Sequence, residues 1–111
     1  MNSEPAILAL SALAQSTRLE AFRLLVRHEP NGLAAGEISD RLAVPTNTMS
    51  AHLGVLSRAG LVTSARRSRS IVYRADLDRV RDLVLFLLQD CCEGRADLCQ
   101  PLLAALAPCC D

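Results

Sequence analysis

Mainly α with a small β-hairpin is the fold class that this 111-residue sequence predicts. Three observations predict it. Half the residues are apolar, yet only Phe22, Phe86 and Tyr73 are aromatic, so the core must be Leu, Val, Ile and Ala, which favours helices. Apolar residues recur at helical spacing up to residue 59 and again after residue 76. Between those stretches the pattern shortens to two β-branched segments around an arginine-rich turn.

Residues 6–13 are apolar and Ala-rich and form the first helix. Residues 17–28 form the second, with Leu19, Phe22, Leu25 and Val26 spaced i, i+3, i+6, i+7. Glu29-Pro30-Asn31-Gly32 stops it and turns the chain. Residues 33–42 form a short helix with Ile38 and Leu42 inward. Ala43-Val44-Pro45 is a tight turn before a helix over 46–59, whose inward set is Met49, Leu53 and Leu56. Gly60 ends that helix as a left-handed residue.

Residues 61–66 and 70–74 are the strands of the hairpin, separated by the polar run 66–69. Asp76 can N-cap the last long helix, with Asp78 in its first turn. That helix is expected over 77–91. Its middle, residues 83–88, is apolar all the way round. A surface helix of a single domain shows a polar face. In so short a chain one side can pack on the domain, and the other is best covered by the same helix of a second copy, a twofold dimer. Gly94 breaks the helix, and a short apolar segment, 102–107, lies between Pro101 and Pro108. The expected organisation is one domain over 1–93 and a cysteine-containing tail over 94–111.

Formal net charge is zero, but it is unevenly distributed. Residues 58–74 hold five arginines and no acid, while 76–111 hold seven acids and three arginines. Every basic residue is arginine, which suits bidentate contacts to phosphate and base edges. The N-terminus lacks a basic region followed by a secretory apolar segment, and the clean apolar runs are too short to span a bilayer. The expectation is a cytoplasmic protein with reduced thiols and no membrane partner.

Helix, three-residue turn, helix and arginine-tipped hairpin is the order of a winged helix-turn-helix. Its second helix lies in the DNA major groove. The outward residues there are Thr46, Asn47, Thr48, Ser50, Ala51 and His52, small or able to donate and accept hydrogen bonds. Arg66, Arg67 and Arg69 at the wing tip would meet the backbone or the adjacent minor groove. Singly, such residues serve as helix caps or solvated turns; their ordered combination points to double-stranded DNA.

"NTMSAHLGVLSRAGLV" followed by "RRSRSIVYRAD" resembles the recognition helix and wing of the arsenic-repressor (ArsR/SmtB) family. "LSALAQSTRLEAFRLL" resembles its first two helices. The resemblance covers roughly residues 5–92, and Ser50, His52, Leu53, Leu56, Ala59-Gly60-Leu61 and Tyr73 stand where the family pattern has them. It implies a homodimeric repressor, joined through its first and last helices. It also implies release from a palindromic operator when a metal or metalloid binds. No enzymatic activity is expected, and no organic cofactor.

Two metal sites found in the family lack support here. The stretch matching its Cys-x-Cys site, residues 37–42, has no cysteine, and the last long helix has no histidine. All five cysteines fall after residue 90. "LVLFLLQDCCEGRADLC" resembles arsenite-responsive members with adjacent cysteines at this helix end and a third shortly after. Three thiolates suit arsenic(III), and equally antimony(III), so Cys91, Cys92 and Cys99 are the expected inducer ligands. A thiol redox or persulfide sensor, a cadmium, lead or zinc sensor of the same fold, and a structural zinc site drawing on Cys109 or Cys110 are the alternatives. Cys109 and Cys110 have no assigned role.

Overall fold

The computed structural model describes residues 1–88. In order these form α1 (Ser3–Leu13), α2 (Ser16–Arg27), β1 (Leu33–Ala34), α3 (Ala35–Leu42), α4 (Thr46–Arg58), β2 (Val62–Arg67), β3 (Ser70–Ala75) and α5 (Leu77–Leu88). The strands make one antiparallel sheet of order β1-β3-β2.

α1 starts three residues earlier than expected. Pro5 is harmless in a first turn, where backbone N–H groups have no intrahelical partner. Ala6, Ala9 and Ala12 are its buried residues, small enough to let the helix lie close on α2, α4 and α5. Ile7, Leu8 and Leu10 are exposed. The Gln15 side chain caps α2 by accepting the Arg18 N–H at 2.9 Å. Arg18 Nε donates to the Ala12 carbonyl at 2.6 Å, pinning the end of α1 to the start of α2.

The inward face of α2 differs from the expected one. Ala21, Phe22, Leu24 and Leu25 are buried, whereas Leu19 and Val26 are exposed. At about 100° per residue, Leu19 and Val26 fall on the side opposite Ala21. Ala21, fully buried, lets α2 approach α1, α3 and α4 on that side.

A second difference lies at residues 33–34, expected to be helical. They form β1, with Leu33 opposite Tyr73 and Ala34 opposite Val72, and α3 begins only at Ala35. The Ala34 N–H is capped by Glu37 Oε1 at 3.0 Å. Ala43, at φ +56°, ends α3 in the left-handed region and opens the turn to α4.

α4 buries Met49, Leu53 and Leu56 completely, as their spacing predicts. Gly60, at φ +78°, follows its end, and the Leu61 N–H returns to the Leu56 carbonyl at 3.0 Å. This six-to-one bond with a left-handed glycine is the Schellman arrangement. The hairpin strands extend to Arg67 and from Ser70, so the connection is two residues long, with Ser68 at φ +56°. Asp76 caps α5 as expected: its Oδ1 accepts the Arg79 N–H at 3.1 Å. Asp76 also donates its own N–H to the Leu61 carbonyl at 2.8 Å, joining the start of α5 to the end of α4.

On α5, Leu83 is buried, and Val80 and Phe86 pack against the core. Leu85 and Leu87 are 42% and 50% exposed, so the apolar belt does leave one side uncovered by its own chain. The expected extension of this helix to residue 91 and the tail over 94–111 lie outside the described residues. No helix among the described residues is long and apolar enough to cross a membrane.

Candidate nucleic-acid interface

The site rests on two elements held at fixed angles to one core. α3 and α4 pack on each other across residues 43–45, and α4 also packs on β2. Because Met49, Leu53 and Leu56 lock one side of α4 inward, the opposite side must face solvent. Thr46, Asn47, Thr48, Ser50 and Ala51 are all exposed there. Asn47 Oδ1 accepts the Thr48 N–H at 2.9 Å, which leaves its amide NH2 as a donor. His52 is half-buried, on the flank nearer the core, and stands apart from the outward residues.

Arg66, Arg67 and Arg69 are exposed at the far end of the hairpin. Side chains alternate along a strand, and cross-strand partners share a face. Arg66 therefore stands beside its partner Ile71 on one face, and Arg67 beside Ser70 on the other. The tip offers positive charge to both sides. Among the described residues, the one ion pair within 4.0 Å joins Arg74 to Glu29. The wing arginines are thus unneutralised.

That pair is a feature the sequence did not reveal. Arg74 Nε and Nη2 donate to Glu29 Oε1 and Oε2 at 3.1 and 2.9 Å, a bidentate fork. The hydrogen bond to Glu29, and then the charge of its carboxylate, raise the Arg74 pKa above its ordinary value. Arg74 belongs to the basic run 58–74 in sequence, but its charge is spent on the turn after α2. A neighbouring contact, Arg41 Nη1 to His28 Nε2 at 3.3 Å, ties the same turn to α3. Partners separated by 45 and 13 residues leave no periodic signal. The turn 28–32 thus holds both the first helix of the helix-turn-helix and the middle strand of the wing.

Among the described residues no group of three His, Cys, Asp or Glu side chains could hold a metal ion. Neither His28 nor His52 is part of such a group. Cys91, Cys92 and Cys99, the expected inducer ligands, lie outside the described residues, as do Cys109 and Cys110.

Comparison with known proteins agrees with this architecture. Residues 13–65 match the family model described as a helix-turn-helix domain. The chain is 30% identical over 93 residues to the transcriptional activator HlyU of Vibrio cholerae serotype O1, covering 84% of this chain and 83% of that protein. An ArsR-like transcriptional regulator from Rhodococcus sp. RHA1 superposes with a TM-score of 0.70 at 27% identity, over 91% of this chain and 89% of that one. A Mycobacterium bovis fragment described as a homodimeric winged helix-turn-helix DNA-binding domain, a possible ArsR-family transcriptional regulator, gives 0.65 at 27% identity, over 77% of each chain.

Proposed function

The chain belongs to the ArsR family of winged helix-turn-helix transcriptional regulators, and from that premise we propose that it is an arsenite-responsive, homodimeric repressor. In this reading two protomers join through α1 and α5, place their α4 helices in successive major grooves of a palindromic operator, and leave when arsenic(III) or antimony(III) binds cysteine thiolates. The observation that carries the reading is the division of the exposed surface. Polar residues and free arginines predominate on α4 and the wing, where Ile71 is the large apolar side chain exposed, while six of the eight exposed Leu and Ile side chains of the described residues lie on α1 and α5, which touch each other. The homodimeric relative from M. bovis supports the pairing.

The choice of inducer rests on sequence and coordination chemistry. Cys91 and Cys92 follow Leu88 by three and four residues, and Cys99 comes seven residues later. Soft thiolates are the ligands for a soft, pyramidal ion. Successive helical residues point about 100° apart, so two adjacent cysteines cannot both face one small ion within a regular helix. Gripping one ion with both thiolates excludes a regular helix at 91–92, directly after the apolar belt that we assign to the dimer contact. The distance between the two α4 helices then changes, and operator half-sites are spaced about one turn, roughly 10 bp. A coupling of about 1–3 kcal/mol, or about 5- to 150-fold in affinity, suffices for regulation.

Titration of an operator complex with arsenite, cadmium and zinc in parallel, under reducing conditions, tests this. Arsenite should release the DNA at the lowest concentration, and Cys91→Ser or Cys92→Ser should bind DNA normally without being released. Release by persulfide or oxidant in place of arsenite would favour a thiol redox sensor using the same residues. Failure of either serine variant to bind operator in the absence of arsenite would refute the separation of reader and sensor.

A further inference from the structure

The residues of α4 farthest from the core fall on one line. Opposite Met49, Leu53 and Leu56 stand positions 47, 51, 54 and 58, spaced i, i+4, i+7 and i+11. They are Asn47, Ala51, Gly54 and Arg58, and the stripe thus ends in a cation. At 1.5 Å per residue it is about 16 Å long. The major groove of B-form DNA is about 12 Å wide. A recognition helix reads base edges with its N-terminal residues, so one that sets Asn47 against them carries position 58, about 16 Å further on, away from the groove floor to the sugar-phosphate wall.

The Arg58 side chain is free to reach that wall. It is exposed, and no hydrogen bond or ion pair to it is found among the described residues. It lies back along its own helix across Gly54, where a Cβ would stand 3.5 Å from Arg58 Nη1. Gly54 and Ala51 offer it no polar partner. Among the described residues no polar group holds the guanidinium in place, so turning toward a phosphate breaks no hydrogen bond or ion pair there. The charge also favours the C-terminal end of α4, but that effect acts within the helix and does not depend on DNA.

We infer that Arg58 is a phosphate-gripping DNA contact, a third point of attachment beside the base-reading start of α4 and the arginine wing. The inference rests on the reading that α4 occupies a major groove. The guanidinium neutralises one phosphate per protomer and carries no sequence information, because phosphates are alike at every step.

The test is binding of wild type, Arg58→Ala and Arg58→Lys to operator and to a random duplex, across 50 to 200 mM salt. Arg58→Ala should weaken both complexes by the same factor. Its slope of log affinity against log salt should be shallower by about 0.9 per protomer, about 1.8 per dimer. Over that salt range the gap between wild type and Arg58→Ala then closes by about 12-fold. Arg58→Lys, which keeps a point charge able to meet a phosphate, should retain the wild-type slope. An unchanged slope in Arg58→Ala, beside a wild type that binds, overturns the inference alone. A loss confined to the operator also overturns it, since that is base reading. If wild type binds neither duplex, the placement of α4 falls with it. Thermal melting of all three proteins shows that each is folded, as expected for an exposed position.

Discussion

Replacing Gly32 by alanine tests the claim that the turn after α2 holds the wing. Gly32 sits at φ +76°, and an added Cβ would run into the Tyr73 carbonyl oxygen, with Arg74 Cγ at 2.7 Å and Val72 Cγ1 at 3.0 Å. Two costs combine. Holding a non-glycine residue in the left-handed region costs about 1–2 kcal/mol. The steric cost falls on backbone, and on the middle strand, since Tyr73 pairs with both Leu33 and Ser64. Moving that carbonyl endangers one or two ladder hydrogen bonds, each worth about 1 kcal/mol. The sum is about 3 kcal/mol. Gly60→Ala is the matched control: φ is +78°, but the obstruction is the flexible Arg79 side chain, with Nε at 2.5 Å, which can swing away. It should cost only the backbone part, about 1–2 kcal/mol. Urea unfolding of both variants at one fixed protomer concentration measures the difference, because dimer stability depends on concentration. Equal losses, or a loss below about 1 kcal/mol for Gly32→Ala, would refute the idea that backbone contact at this turn fixes the strand.

Ser39 is 3% exposed, and its hydroxyl has no hydrogen-bond partner among the described residues. Ser39→Ala should raise stability by about 1 kcal/mol in the same unfolding assay, since an unsatisfied buried hydroxyl is removed. On the DNA face two kinds of loss are expected. Arg67→Ala should weaken binding to operator and random duplex alike and flatten the salt slope, whereas Asn47→Ala should cost about 1–3 kcal/mol on operator with little loss on random DNA. Binding curves on both duplexes at two salt concentrations separate the two patterns.

What was legible in the sequence depended on how local its cause is. The inward face of α4 was readable because Met49, Leu53 and Leu56 repeat at helical spacing. The caps at Gly60 and Asp76 were readable because each acts within a few residues. β1 was not, because two residues carry no period and their hydrogen-bonding partners lie about 40 residues away on β3. The face of α2 was misplaced because small Ala21 outranks Leu19 and Val26: close approach of neighbouring helices selects it, and hydrophobicity alone does not. At the interface, the exposed polar residues of α4 and the wing arginines stood in the sequence in order. The removal of Arg74 by Glu29 did not, since only the fold brings them together.

The reading face itself argues that one protomer is too little to find an operator. Along its outward side α4 offers Asn47 as the one side chain able to hold a base edge bidentately, Thr46, Thr48 and Ser50 as single hydroxyls, Ala51 as an apolar contact and Gly54 as none. At about 1–3 kcal/mol of discrimination per good bidentate contact, one reader gives about 1–3 kcal/mol and a pair about 2–6 kcal/mol. Specific DNA binding exceeds non-specific binding by about 4–10 kcal/mol, a range that a twofold pair of readers enters and a single reader does not. Dimerisation then does more than cover Leu85 and Leu87; it doubles the discriminating contacts, and any event that spoils the spacing of the two α4 helices halves them again. Leu87→Glu places a charge on the half-exposed apolar side of α5, far in sequence from every DNA-facing residue. The variant should sediment as a monomer, keep its salt-dependent binding to random duplex, and lose its preference for operator. A monomer that still prefers operator at the wild-type ratio would sink this account of specificity, and a Leu87→Glu protein that stays dimeric would remove α5 from the interface.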